Sequence, residues 1–303
     1  MVSSFRILLI ITIVLAINSC YTPSNLKCVI FPIVNNNVCK TLTGKVVLYA
    51  SFVDSKYTKP WSTHDIESTL DSIQIAINWV EDKAIKDSVL LDITLVYHQT
   101  KEGRIPIKND FTKKTLSSTV YKKPLWFGIK DLYRWADKIG AEAGRSLIKD
   151  SSDVTHIKID LNYREQLIAQ LREIHRTDKV VPMYFVNNDN KDEISLTLDL
   201  SDNNNVEFSI VSSQNPSVIT HELLHVFGAS DFYLTPFDDK KSVQRKKRKL
   251  MELFPKGIMT FSHRDLNMLT ISSFSKYLIG WRKELSNKHQ KFLLDKGYFA
   301  IDY

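Results

Sequence analysis

Cysteine is scarce in this chain, and its positions exclude a thiolate metal site from most of the sequence. Only three cysteines occur among 303 residues, Cys20, Cys28 and Cys39. Any zinc bound further along must therefore be held by histidine and carboxylate side chains. In an oxidising compartment Cys28 and Cys39 could close a short disulfide loop worth about 3 kcal/mol, and two free thiols are the alternative. Neither arrangement indicates catalysis.

Long apolar runs are also missing, except at the N-terminus. Residues 7–17 are apolar apart from Thr12, and Arg6 precedes them. A run of about 11 residues suits the hydrophobic region of a signal peptide and is too short for the roughly 20 residues of a membrane-spanning helix. The sequence Ile-Asn-Ser-Cys that ends at Cys20 resembles the lipobox of bacterial lipoproteins, in which the cysteine becomes the lipidated first residue.

This resemblance implies a division of the chain into three parts. Residues 1–19 are expected to be a signal peptide, 20–43 a lipid-anchored tether, and 44–303 the folded domain. The protein would then be held in a bacterial cell envelope, with the membrane as a partner through the lipid at Cys20. An ordinary secretory signal and a secreted protein are the alternative.

Outside one segment, the chain lacks an excess of either charge. It holds 41 basic and 34 acidic residues, and the run KKSVQRKKRK at 240–249 contains seven of the basic residues and no acid. The net charge of +7 is therefore one local patch, which argues against a nucleic-acid partner. We interpret the run as a solvated, mobile loop. Contact with anionic lipid or glycan, or proteolytic cleavage, are the other hypotheses.

The remaining sequence has no repeats and no internal domain boundary, and it alternates strand-like and helix-like segments. With 43% hydrophobic residues it can bury a substantial core. Ser62 and Asp65 are placed as a capping box before an amphipathic helix. The order predicts an α+β fold. Strands are expected at 44–53, 89–97, 180–186, 195–200 and 206–211, and helical spacing occurs over 66–80, 129–139 and 167–174.

The segment VITHELLHVFGASDFY, residues 218–233, contains the pattern that indicates chemistry. Asn215 is a good N-cap and Pro216 suits the first helical position, so a helix is predicted to begin there. His221 and His225 are four residues apart on it, so both imidazoles lie on one face and can reach one ion.

The residues after the histidine pair complete a possible metal site. Gly228 can end the helix in a left-handed conformation, and Asp231 is then placed to supply a third ligand. Glu222 lies beside the pair without being a required ligand. The helix is otherwise apolar, so burying two imidazoles and a carboxylate without partners would cost several kcal/mol, on the order of the penalty for unpaired polar groups. A bound metal removes that objection.

These residues resemble the zincin metallopeptidases, and among them the metzincin-like, snapalysin-like members in which aspartate follows HExxHxxGxx. The motif here is His221-Glu222 to His225, Gly228 and Asp231. KGIMTF at 256–261 resembles the methionine turn beneath the metal, with Met259, and YLIGW at 277–281 resembles a helix end under the site. The resemblance implies a zincin-like mixed, twisted sheet, an active-site helix carrying HExxH and a smaller C-terminal helical part.

The resemblance also implies a reaction. One zinc ion on His221, His225 and Asp231 would lower the pKa of its bound water and polarise a substrate carbonyl. Glu222 would act as the general base, and the protein would then be a zinc-dependent endopeptidase of protein or peptide substrates. The predicted strand 206–211, if it is an edge, could bind an extended substrate by backbone hydrogen bonds.

Two alternatives remain open at this point. Glu252 could be the third ligand, as the later glutamate is in gluzincins, or the chain could be a non-catalytic lipoprotein that holds zinc. Glu222 argues against the non-catalytic lipoprotein, because a structural zinc site needs no base. Such a site is also usually closed by a fourth protein ligand. The other six histidines lack metal-ligand spacing and are interpreted as surface or structural residues, namely His64, His98, His156, His175, His263 and His289.

Overall fold

A computed structural model describes residues 41–100, 103, 105–110, 125–150, 163–187, 195–198, 206–235, 238 and 240–293. The predicted signal peptide, the lipobox with its Cys20, and the pair Cys28 and Cys39 lie outside the described residues.

The described residues form six strands and seven α-helices, which agrees with the predicted α+β class. The strands are β1 (Gly44–Asp54), β2 (Leu91–Tyr97), β3 (Ile107–Lys108), β4 (Val180–Val186), β5 (Leu196–Leu198) and β6 (Phe208–Val211). The helices are α1 (Thr63–Lys86), α2 (Leu125–Asp150), α3 (Tyr163–His175), α4 (Pro216–Val226), α5 (Lys241–Leu253), α6 (Ser273–Leu278) and α7 (Asn287–Gln290), with a 3-10 turn at Leu266–Met268.

All six strands belong to one mixed sheet. Its order is β2-β1-β4-β6-β5, and the short β3 pairs with the far end of β1. Every pairing is parallel except β5 with β6, which is antiparallel. Strand β4 is buried at all seven residues, as expected for a central strand covered on both faces. The predicted mixed sheet is thus confirmed.

Local sequence explains the first helix. Ser62 caps α1 by accepting a hydrogen bond from the backbone N–H of Asp65, and the Asp65 carboxylate accepts from the N–H of Ser62. This reciprocal pair is the predicted capping box, which satisfies two backbone donors at the helix end. Ile73, Ala76 and Ile77 are buried on one side of α1, and the helix packs against β2 and α4.

The sheet decides the condition attached to the substrate strand. Residues 206–211 could bind an extended substrate only if they formed an edge, and β6 instead lies between β4 and β5 and is paired on both sides. The antiparallel β5 is the edge at this end of the described sheet. The sequence carries no local signal for strand order, because strand order depends on long-range pairing.

The structure also corrects the interpretation of the basic run at 240–249. It was interpreted as a mobile loop, but residues 241–253 form helix α5. Val243, Lys247 and Leu250 are buried at helical spacing and hold this helix against the domain. The apolar positions are too few for the pattern to stand out among so many lysines and arginines.

The folded region begins before the predicted boundary at residue 44. Leu42 is fully buried, its N–H donates to the carbonyl of Ile279, and its own carbonyl accepts from the Trp281 indole at 2.6 Å. These contacts tie the start of β1 to the C-terminal helices. Among the described residues, no helix combines the length and the apolar character needed to cross a membrane.

Candidate metal centre

Helix α4 carries the histidine pair and is capped at its start and buried along its length. The Asn215 side chain accepts the N–H of Ser217 at 3.0 Å, and Pro216 occupies the first turn, as predicted. Ile219, Leu223 and Leu224 are fully buried, so the helix cannot rotate without exposing apolar surface.

The three predicted ligands meet at one point. Nε2 of His221 lies 3.0 Å from Nε2 of His225. Oδ1 of Asp231 lies 3.0 Å from the first and 3.1 Å from the second of these nitrogens. Such a group could hold a metal ion, and no fourth His, Cys, Asp or Glu of the described residues joins it.

The outer hydrogen bonds of the histidines show that this group fits a cation. Nδ1 of His221 is 3.0 Å from the carbonyl of Ile258, and Nδ1 of His225 is 2.7 Å from the carbonyl of Ala229. A carbonyl only accepts, so each Nδ1 carries a proton, and whenever a ring is neutral its lone pair lies at Nε2. The two Nε2 atoms and a carboxylate oxygen face one another at 3.0–3.1 Å, an arrangement that a cation stabilises, whether a metal ion or a proton.

The electrostatics of the group agree with this interpretation. Burial lowers the pKa of His225, but the Asp231 carboxylate outweighs it and raises the pKa to about 9. Burial likewise opposes ionisation of Asp231, but the nearby imidazoles hold its pKa well below the usual range. The carboxylate therefore favours positive charge at the point where the three ligand atoms meet, whether a proton or a metal ion supplies it.

The glycine turn brings Asp231 to the histidines. Gly228 has φ of +91°, the left-handed conformation predicted for it, and the N–H of Ala229 bonds to the carbonyl of Leu224. A Cβ at Gly228 would lie 3.6 Å from the carbonyl of Leu278, at the end of α6. The YLIGW segment is therefore a helix end near the ligand turn, as the sequence indicated.

The predicted methionine-turn segment lies against the ligands. The carbonyl of Ile258 holds His221, and the carbonyl of Met259 accepts the N–H of Phe232, the residue after Asp231. Ile258 in turn donates its N–H to Thr270. Met259 is fully buried. One backbone segment thus orients both a histidine and the turn that carries the aspartate.

Glu222 is buried beside the ligands and has a specific partner. Its Oε2 accepts a hydrogen bond from Thr197 Oγ1 at 2.7 Å. Ser209 Oγ lies 2.7 Å from the same Thr197 oxygen, so the three residues form a chain across β6, β5 and α4. Burial raises the pKa of Glu222, and the two imidazoles and the Thr197 hydrogen bond oppose that rise.

Tyr233 is a second residue at the site that the sequence analysis did not single out. Its ring stacks on His221 with centroids 5.9 Å apart, and 36% of the residue is exposed. Burial and the charge of Asp231 raise the pKa of its hydroxyl, to which a hydrogen bond with Asp231 contributes. Tyr233 follows Asp231 by two residues, so its proximity could have been noticed. Thr197 is distant in sequence and gave no such signal.

Glu252 lies elsewhere. It is 62% exposed at its side chain and pairs with Lys249 on α5, and it does not belong to the metal-ligand group. Its position favours Asp231 as the third ligand. Among the other histidines, His98 is buried beside Tyr49, His263 is exposed, and His156 lies outside the described residues.

Comparison with known proteins adds no relative to this picture. No family model matches the chain, and no curated protein and no solved structure matches it either. What the site can do chemically therefore follows from its own geometry: two imidazoles and one carboxylate, with the side chains of His225 and Asp231 partly exposed, beside a buried glutamate.

Proposed function

We propose that this protein is a zinc-dependent endopeptidase that hydrolyses peptide bonds of protein substrates. The observation that carries the proposal is the convergence of His221 Nε2, His225 Nε2 and Asp231 Oδ1 within 3.1 Å of one another, beside the buried carboxylate of Glu222. Two histidines and one carboxylate are a known catalytic zinc set. The zincin-like architecture and a lipid anchor at Cys20 belong to the same proposal.

The choice of a catalytic over a structural site rests on ligand number. A structural zinc is closed by four protein ligands, whereas a catalytic zinc keeps one position open. Three ligands come together here among the described residues, and the side chains of His225 and Asp231 are 17% and 18% exposed. Zinc in this position would supply a Lewis acid that activates water and polarises a peptide carbonyl.

The neighbouring residues have roles that follow from their chemistry. Glu222 would take the proton of the attacking water and deliver it to the leaving amine. Burial raises the pKa of Glu222, which improves its strength as a base. The Tyr233 hydroxyl, which hydrogen-bonds Asp231, could donate to the developing oxyanion of the substrate instead.

The substrate would bind along β5. This strand pairs on one side with β6 and forms the sheet edge next to α4 within the described residues. An extended peptide can add to such an edge through backbone hydrogen bonds. Because Thr197 of β5 also holds the Glu222 carboxylate, the edge that would receive substrate is tied directly to the base.

Glu222→Gln tests the proposal, because glutamine keeps the size of the side chain but cannot accept the proton. We expect the variant to bind zinc and to fold like the parent, while its cleavage of casein falls by about 100-fold to 10,000-fold. A chelator should abolish the activity of the parent, and added zinc should restore it. A zinc-loaded parent that is inert toward a broad set of unstructured proteins would sink the proposal in favour of a zinc-holding lipoprotein.

A further inference from the structure

Helix α5 presents a strongly basic surface that the proposed hydrolysis does not use. We call the exposed residues Lys241, Arg245, Arg248 and Lys249 the basic face. Val243, Lys247 and Leu250 lie on the opposite, buried stripe of the helix. Glu252 is the only acid in α5, and it pairs with Lys249.

The basic face is unfavourable for the helix that carries it. Lys241 and Arg245, and Arg245 and Lys249, are like charges four residues apart, a spacing that destabilises a helix. Lys241 also lies in the first turn, which contains no acid, and a cation there opposes the helix dipole. Intrinsic helix stability therefore does not account for this distribution of charge, whereas an anionic partner would relieve the repulsion.

Tertiary contacts hold the helix in place despite this repulsion. Lys247 Nζ lies 2.9 Å from Oδ2 of Asp238, and both side chains are buried. Lys246 Nζ donates to the carbonyl of Leu293 at 2.7 Å, which ties α5 to the C-terminal segment. That segment also carries two exposed lysines, Lys288 and Lys291. The rigid attachment presents the basic face as one surface and does not leave it a mobile tail.

We propose that the basic face docks onto the headgroups of an anionic lipid bilayer. From Lys241 to Lys249 the helix extends about 12 Å, and its cations lie on one side, as a flat negatively charged surface requires. No aromatic residue occurs in α5, so the stacking platform that single-stranded nucleic acids use is missing from this helix. The basic face consists of lysine and arginine side chains alone, so its binding to lipid would be electrostatic and weakened by salt. The lipid anchor predicted at Cys20 would keep the domain close to such a bilayer.

Vesicle co-sedimentation of the full chain tests this docking. Every protein carries Cys20→Ser, so that no attached lipid obscures the result. The test variant is Arg245→Gln/Arg248→Gln/Lys249→Gln. The matched control is Arg134→Gln/Lys138→Gln/Arg145→Gln, which removes the same two arginines and one lysine from exposed positions on α2. Thermal unfolding checks that each variant is folded.

The parent is expected to bind vesicles of phosphatidylcholine with phosphatidylglycerol and to bind pure phosphatidylcholine much more weakly. The test variant should lose on the order of 100-fold in partitioning and the control should lose little, because each basic residue near an anionic surface contributes about fivefold. High salt should reduce binding of the parent toward that of the test variant. Equal losses in the two variants, or equal binding to both kinds of vesicle, would overturn the proposal. An oligonucleotide bound more tightly than the anionic vesicles would assign the face to nucleic acid instead.

This inference does not depend on the hydrolase. None of the substituted residues belongs to the metal centre, so the vesicle result stands even if the chain cleaves nothing.

Discussion

His221 and His225 reach a metal-binding geometry because each is held at its other nitrogen by a backbone carbonyl. Ile258 holds the first ring and Ala229 the second. Such outer contacts fix the tautomer and the ring orientation, so the two Nε2 atoms already face the Asp231 carboxylate. At the scale of single residues, the site is assembled by local backbone contacts as much as by the motif.

If the group holds zinc as proposed, Asp231→Ala should remove most of the metal. A direct ligand is lost, so we expect affinity to fall by more than the roughly 10-fold to 100-fold typical of losing an outer-shell partner. Glu252→Ala is the matched control, since it removes an exposed carboxylate that lies outside the ligand group. Metal content measured after dialysis checks both. Zinc lost from the Glu252 variant and kept by the Asp231 variant would restore the gluzincin arrangement.

Thr197→Val should show whether the Thr197 hydroxyl positions the Glu222 carboxylate or whether Thr197 only packs against it. Valine keeps the shape of threonine but cannot donate to Oε2, a hydrogen bond of 2.7 Å to a charged group. If the chain is a peptidase, kcat should fall about tenfold or more while KM and zinc content stay near those of the parent. Thr197→Ser retains the hydroxyl and should recover most of the activity.

The contrary outcome for Thr197 is equally specific. If valine and serine impair the protein alike, the hydroxyl does not position the base and Thr197 acts through packing alone. If the parent itself is inactive, the proposed function fails and this comparison must be made on stability. There Thr197→Val and Glu222→Gln should show a coupling free energy in a double-mutant cycle.

At the scale of elements, α5 is attached to the loop that follows the metal ligands. Asp238 accepts the backbone N–H of Thr235 at 2.6 Å and the Lys247 ammonium at 2.9 Å. Thr235 follows Asp231 by four residues. The buried ion pair therefore fixes the helix and the ligand loop relative to each other.

Lys247→Met should destabilise the fold by about 3 kcal/mol, since it leaves the Asp238 carboxylate buried without its cation. Methionine keeps the unbranched shape and most of the length of the lysine side chain, so the loss reports mainly the charge. Lys241→Met, an exposed change on the same helix, should alter the free energy of unfolding by no more than about 0.5 kcal/mol. Urea unfolding measures both. Equal effects from the two changes would show that the buried pair does not fasten α5.

At the scale of the whole molecule, a buried histidine makes the stability of the fold sensitive to pH. His98 is 2% exposed, its backbone N–H donates to the carbonyl of Ala50, and its ring Nδ1 lies 3.4 Å from the Tyr49 hydroxyl. Burial lowers the pKa of His98 in the folded chain, and the charge of Glu142 opposes this shift. The unfolded chain therefore takes up this proton at a higher pH than the folded chain does.

The stability associated with a neutral His98 is present above the unfolded pKa of about 6.5 and is lost as the pH falls below it toward the lower folded value. Urea unfolding at pH 7.5 and 5.5 should show this loss in the parent, and His98→Gln should show a smaller one. An identical pH dependence in both proteins would mean that other groups cause it.

The positions of most elements followed from the sequence, because capping and periodicity are local properties. The Ser62 and Asp65 capping box and the Asn215-Pro216 helix start appear as predicted. Strand order did not follow, since the pairing of β6 with β4 joins segments far apart in the chain. The identification of β5 as the edge, and with it the contact of Thr197 with Glu222, therefore required the sheet.

The sequence by itself determined which side chains could meet at a metal ion. The spacing of His221 and His225 puts both on one face of a helix, and the turn at Gly228 brings Asp231 back toward that face. Only the tertiary structure decided the surroundings of these three side chains. The carbonyls of Ile258 and Ala229, the hydroxyl of Thr197 and the helix formed by the basic run all depend on how the segments pack. The physical reason is one of range: helix and turn geometry act over a few residues, whereas burial, strand pairing and hydrogen bonds to buried groups join residues that the sequence separates.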